Sequence, residues 1–420
     1  MDFIKNKILY VLDDDNNYIP FKTVNNEIFL TADLIEGIFS YDDYCRAVRS
    51  KITKRVVKIY QLNEDETIYK DITECTNSLS LSFDYSQGQT RTGNLMLGNY
   101  NNEFKPSPIN ATLWKGTKFR IDIGLYWNGT VYWKNCGIFV AGQYTINEET
   151  QDISFPIYDK FALLDGTIGG NFASEFQIER GTKIRKAIQL CLSDDKGNGK
   201  TYDNKPIIFP SDYEDFTTPY TITKSYNTTN GDILKELADI ISCDIYYNDA
   251  GNLTLTPNED SVYVNNRAIL WNFEEDELLS HPTQEIDFTK VVNQITVVGN
   301  IEGGYQHKAT VTNTDAQSQS NIHMTDINSL TIEDTNLTSD ELCEQRAKYE
   351  IKKRSMLATK INYKCNFIPS LLPNNLVTWT NKRLGFFMEK FIISSIDIDV
   401  SQNNCSMDLS ISNLKEVVFK

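Results

Sequence analysis

From residue 78 to residue 125 the chain repeatedly alternates polar and apolar residues with a period of two, and this alternation limits the fold more than any other feature. Leu79, Leu81, Phe83 and Tyr85 are separated by Ser80, Ser82 and Asp84, and Phe119, Ile121, Ile123 and Leu125 by Arg120, Asp122 and Gly124. Successive side chains of an extended chain point to opposite faces, so each run buries one face and wets the other, as a half-buried antiparallel strand does. Val57, Ile59 and Gln61 share a face in the same way. Between Tyr126-Trp127 and Thr130-Val131-Tyr132-Trp133 stands Asn128-Gly129, a pair that supplies the two positive φ angles of a type I′ hairpin. Residues 46–166 are therefore expected to form a first antiparallel β-barrel or sandwich.

Residues 1–45 stand apart as an N-terminal arm or subdomain, with the apolar run Ile8–Leu12 meeting the acidic turn Asp13-Asp14-Asp15-Asn16-Asn17. Over 167–265 the period changes. Ile184, Ala187, Ile188 and Cys191 recur at helical spacing, as do Ile233, Leu234, Leu237, Ile240 and Ile241 behind the cap candidates Asn230 and Asp232. The second helix leads into a hairpin, Cys243–Tyr247 and Leu253–Thr256 about the turn Asn248–Gly251, so this stretch reads as a small α+β domain. Strands return over 266–420, beginning with Val291–Gly299. The polar stretch Thr312–Thr325 is expected to be a mobile loop. Thr338-Ser339-Asp340-Glu341 reads as a capping box opening a helix near 339–354 that carries Cys343, Ala347 and Ile351 on one face. Strands near 357–368, 376–380, 386–400 and 404–412 follow. The fold class is mainly β with an α+β middle.

Lys and Arg total 41 against 57 Asp and Glu among 420 residues, a net charge of -16 that opposes any sequence-independent grip on phosphate. The apolar runs fall far short of the roughly 18 residues needed to span a bilayer, and the start, Met1–Lys5, lacks the basic end and apolar run of a signal peptide. The expectation is a soluble chain folded in the cytosol. The eight cysteines, Cys45, Cys75, Cys136, Cys191, Cys243, Cys343, Cys365 and Cys405, are widely spaced with no Cys-x-x-Cys pattern, and they read as small core hydrophobes.

Motifs for chemistry are incomplete. Gly199-Lys200-Thr201 resembles the end of a phosphate-binding loop, but Asp194 stands where its first glycine belongs and a helix leads in instead of a strand. Asp13, Asp15 and Asn17 alternate like calcium ligands, yet Tyr18 replaces the turn glycine and Val24 the closing glutamate. His281, His307 and His323 fit no metal or nucleophile spacing. Glu148-Glu149 and Glu274-Glu275 are adjacent acids without a sign of convergence. Trp114, Trp127 and Trp133 could stack on sugars, but cross-strand packing explains them as well. The Asn-x-Ser/Thr triplets at Asn110, Asn128, Asn227, Asn252 and Asn336 are what chance gives in so Asn-rich a chain. No catalytic, cofactor-binding or metal-binding residue is assigned, and no enzyme or cofactor is expected.

Several strings nevertheless resemble the baseplate or tail-tip hub proteins of bacteriophages and phage-derived particles of Gram-positive hosts. They are Leu81–Gln89, Pro106–Asn110 leading to Leu113–Arg120, Asp159–Gly166, Ile233–Asp239 with its hairpin, Lys290–Gly299, and Arg346–Glu350. Together they span about residues 50–412. The resemblance implies a structural virion protein with two tail-tube-like β-barrels, made in the host cytoplasm and placed at the tail tip. It implies a homotrimer whose six barrels match the tail tube or distal tail protein above and a spike or fibre below, with the tape-measure protein as a further partner. DNA would pass through its channel without specific nucleic-acid binding, along an acidic wall, and the protein would not insert into a membrane. A distal tail ring protein and a carbohydrate- or receptor-binding adhesin are the alternatives.

Overall fold

The computed structural model describes residues 9–12, 18–24, 27–30, 41–50, 54–85, 90–99, 103–104, 112–172, 175–193, 201–224, 228–241, 243–257, 268–274, 277–286, 291–315, 318, 320–323, 325–335, 337–355, 359–401 and 404–413. The acidic turn at 13–17, Gly197–Lys200, Ser86–Gln89 and Pro106–Asn110 lie outside them. Near the N-terminus β1 (Leu9–Leu12), β2 (Tyr18–Val24) and β3 (Glu27–Leu30) pair in an antiparallel sheet. Helix α1 (Tyr41–Arg49) follows and buries Tyr44, Ala47 and Val48, and Ser370 Oγ accepts a 3.0 Å bond from the Tyr44 hydroxyl.

The expected alternation then forms β4 (Arg55–Leu62), β5 (Ile68–Asp71), β6 (Thr76–Asp84), β7 (Arg91–Gly98), β8 (Lys118–Trp127), β9 (Thr130–Ala141), β10 (Thr145–Asn147) and β11 (Asp152–Asp159). Their order in space is β5-β4-β8-β9-β11-β7-β6, with β10 on β11. The β8–β9 turn is as expected: Trp127 faces Thr130, and Asn128 and Gly129 have φ of 48° and 84°. The middle contributes β12 (Phe176–Ile178), α2 (Ile184–Ser193), β13 (Ile222–Lys224), α3 (Asn230–Ile240), β14 (Cys243–Tyr247) and β15 (Leu253–Pro257). Helices and hairpin enclose a core of their own around Ile188, Leu234, Leu237 and Tyr247.

After these come β16 (Ile269–Phe273), β17 (Thr283–Ile286), β18 (Gln294–Glu302), β19 (Tyr305–Thr312), β20 (Ser329–Glu333), α4 (Asp340–Arg354), β21 (Thr359–Asn366), β22 (Leu376–Asn381), β23 (Phe386–Ser401) and β24 (Asn404–Asn413). Strands β18 to β20 form a separate sheet that α4 covers with Cys343, Ala347 and Ile351 against Ile295 and Val297. The others run β17-β21-β24-β23, and β22 joins the first part of β23.

The two β blocks are not separate. The second part of β23 pairs with β6, Ser395 opposite Asp84 through Val400 opposite Leu79, so the blocks become halves of one sheet. They also share one core, in which Leu81, Phe119 and Phe155 meet Tyr363, Trp379, Ile396 and Met407. The mainly β class with an α+β middle holds, but no closed ring of strand pairings occurs among the described residues, and β5 and β17 end the path.

Local corrections have local causes. The N-cap of α3 is Thr229, whose hydroxyl accepts from Asp232 N while Asp232 returns a bond to Thr229 N, so Asn230 falls inside the helix. The cap of α4 is Ser339, bonded by Leu342 N; Glu341 thus sits one position too early for the expected box. The described part of Thr312–Thr325, expected to be a mobile loop, is hydrogen-bonded within itself and to the end of α4. Buried Asn313 Nδ2 donates to Ser318 and Ser320, and Ser320 Oγ donates to the Ser355 carbonyl. All eight cysteines are free, and all but half-buried Cys75 are buried, as their strand and helix positions implied.

Candidate functional site

The strongest non-core arrangement is the wet face of the joined sheet. Because β6–β23 pairing is in register with its neighbours, side chains line up in rows that cross the seam. One row runs Lys364, Asp408, Asp397, Ser82, Thr92. The next runs Asn366, Ser406, Asp399, Ser80, Asn94, and a third runs Asn362, Ser410, Ser395, Asp84. The opposite side chains of the same strands, such as Leu81, Ile396, Ile398, Met407 and Leu409, are in the core. Asp397 and Asp399 are exposed. Lys364 reaches Asp408 at 3.2 Å and Asp399 at 4.0 Å. Small hydroxyls and amides with carboxylates and one ammonium make a shallow polar wall. Its carboxylates outnumber its one ammonium, so its field repels a polyanion.

A second polar cluster lies where the first half of the sheet meets the middle unit. Lys160, 1% exposed, bonds Glu66 at 2.6 Å, Asp203 at 2.7 Å and the Gly251 carbonyl at 2.9 Å. Lys118 and Lys205 also reach Glu66, at 2.8 and 2.5 Å. Burial opposes ionisation of Glu66, but Lys160 and the other two ammonium groups outweigh it and bring its carboxyl down to about 2. Arg91, 2% exposed, and Lys134 hold Asp249 on the β14–β15 turn at 2.5 and 2.9 Å. Asp159 accepts from Thr90 N, Thr90 Oγ, Arg91 N and Phe161 N, yet burial pushes its carboxyl up to about 6. Buried charges survive only when paired and hydrogen-bonded, so the cluster is a joint that fixes the two units to each other. Sequence reasoning missed it because its partners come from seven separated segments; the only hint was the Asp159-Lys160-Phe161 string.

The other candidates disperse. His281 and His323 are exposed on loops, and His307 Nδ1 lies 3.1 Å from Asp340. Glu148 and Glu149 occupy an exposed turn. Trp114 stands at the Lys118 end of β8 and Trp127 at the other, about 30 Å away at about 3.3 Å per residue; Trp133 stacks beneath Lys58. The three tryptophans form no common platform. A narrow cleft between Val48, Arg49, Phe273 and Glu277 is bridged by the Arg49–Glu277 ion pair at 2.5 Å. No group of three His, Cys, Asp or Glu among the described residues could hold a metal ion, and none of their helices is long and apolar enough to cross a membrane.

Residues 318–415, from ahead of β20 to the end of β24, match a family model described as a domain of unknown function, DUF5048. No curated protein matches in sequence. The 43 kDa tail protein of prophage MuSo2 from Shewanella oneidensis is similar in structure, with a TM-score of 0.56 at 15% identity over 86% of this chain and 98% of that one. A tail protein from Neisseria meningitidis MC58 gives 0.58 at 10% identity, over 86% and 96%. The PdpA-VgrG complex of Francisella gives 0.51 at 10% identity, over 88% of this chain and 60% of that one. The Gram-positive host implied by the sequence strings gains no support from these neighbours. At such identities the likeness is one of fold, which this chain shares with these tail proteins over most of its length.

Proposed function

We propose that the chain is a structural, non-enzymatic component of a phage or phage-derived tail, a baseplate or tail-tip hub that joins the tail tube to a central spike or fibre as a homotrimer. The observation that carries this reading is the polar wall that crosses β24, β23, β6 and β7, with its carboxylates, Asp408, Asp397, Asp399 and Asp84, on the first three of these strands. On this reading the two β halves serve as two tube-like units per chain, so that three copies would supply the six needed below a six-fold tube. A distal tail ring needs only one such unit per chain. The wall then faces the channel, where carboxylates keep DNA moving instead of binding it.

Negative-stain imaging with native mass determination tests the assembly: a three-fold ring with an open channel is expected, and a six-fold ring would move the protein to the distal tail. Lysines at Asp397 and Asp399 test the wall. In assembled particles the double substitution should slow genome release without lowering particle yield, and unchanged release would remove the wall from the channel.

A further inference from the structure

Beyond Trp379 the end of the β22–β23 hairpin projects as a two-stranded tip. β16 accompanies β22 only as far as Trp379, and β24 reaches β23 only at Ile392. There two adjacent phenylalanines part company. Phe386 packs on Trp379 and Phe391, with ring centroids 6.0 and 5.3 Å away, while Phe387 points outward and is 78% exposed. Exposed Lys382 and Arg383 stand beside it. The tip is stiff: Asn381 Oδ1 accepts from Arg383 N and Leu384 N at 3.1 Å each, and Gly385 and Met388 hold φ of 77° and 50°. A preorganised aromatic beside an arginine is the composition of an interface anchor, because little entropy remains to be lost on docking.

The β10–β11 hairpin has the complementary make-up. Ile146 is 47% exposed, and the exposed turn after it carries Glu148 and Glu149. This turn is stiff for the same reason, with Asn147 Oδ1 accepting from Glu149 N and Thr150 N at 3.0 and 3.3 Å. The basic, aromatic tip belongs to the second half of the sheet and the acidic, apolar hairpin to the first.

We infer that the Phe387–Arg383 tip docks on the Ile146–Glu148–Glu149 hairpin of a second copy of this chain. The two surfaces differ, so the contact is heterologous and propagates around a ring. Halves would then alternate between two kinds of joint, β6–β23 within a chain and tip to hairpin between chains. This rests on the hub reading above and adds to it the surface that closes the ring.

The test uses the full chain and measures assembly by native mass and sedimentation across concentration. Phe387→Ala with Arg383→Glu should raise the concentration needed for half-assembly by at least about tenfold, with circular dichroism and melting unchanged because both side chains are exposed. Glu148→Arg with Glu149→Arg should do the same. Mixing the two reversals in one chain, Arg383→Glu with Glu148→Arg and Glu149→Arg, should recover assembly. A wild-type ring that the tip variant leaves intact would overturn this inference and spare the hub reading. A tip variant that weakens assembly without charge-swap recovery would overturn the choice of the β10–β11 hairpin. A wild-type chain that stays monomeric at every concentration would remove both.

Discussion

Asp159 shows how one residue can set a pH dependence. Burial raises its carboxyl from 3.8 to about 6 despite four donors, so between those values the folded chain holds a proton that the unfolded chain has lost. Its contribution is therefore fullest below about pH 4 and declines as pH rises through 6. Glu66 behaves oppositely, because its depressed carboxyl gives stability above 4.5 that is lost as pH falls toward 2. Between pH 4.5 and 6 only Asp159 of the two titrates. Urea denaturation at pH 4.5 and pH 7 should show Asp159→Asn losing a pH-dependent contribution of about 2 kcal/mol that the wild type retains. The same pH difference in both proteins would mean that Asp159 stays ionised throughout. The Asp159-Lys160-Phe161 string hinted at the site without marking its burial, since an aspartate on a strand end is ordinarily a solvated cap.

Caps and turns decide the elements, and here sequence and structure are closest. Asn128-Gly129 determines its hairpin because few other residues accept two positive φ values in succession. Helix starts are less certain by one residue: Thr338 and Ser339 both offer a hydroxyl, and packing of Cys343, Ala347 and Ile351 against β18 selects the register that makes Ser339 the cap. Thermal or urea melts should find Ser339→Ala destabilised by about 1 kcal/mol and Thr338→Ala nearly neutral. Equal effects, or a larger one at Thr338, would restore the earlier start. The hydrogen bonds of the described residues in 312–325 escape sequence reading for a related reason. A run of Asn, Ser and Thr reads as solvated unless a distant carbonyl, here that of Ser355, is known to accept.

At the scale of the molecule the seam between β6 and β23 matters most. On the other side of β6, Gly93 lets β7 come close: a Cβ there would lie 2.2 Å from the Ser80 carbonyl of β6. With one sheet and one core, the two halves should open together. Native-state hydrogen exchange is expected to give amides of β8–β9 and β21–β24 the same opening free energy. Two well-separated values would show the halves to be independent units with only an edge in common.

Sequence alone determined the β class, the α+β middle, the aromatic hairpin, the buried cysteines and the amphipathic faces of the helices, because periodicity states which face of an element avoids water. It even contained the polar wall, as the Ser and Asp positions of 78–84, 395–399 and 406–410. Tertiary structure decided what those faces and edges meet: that β6 pairs with β23, that Tyr44 bonds Ser370 across 326 positions, and that Lys160 is surrounded by carboxylates. The reason is physical. An edge strand offers the same unpaired N–H and C=O groups to any partner, and a buried charge is stable beside any well-placed counter-charge, so only the packing of the whole chain selects between them.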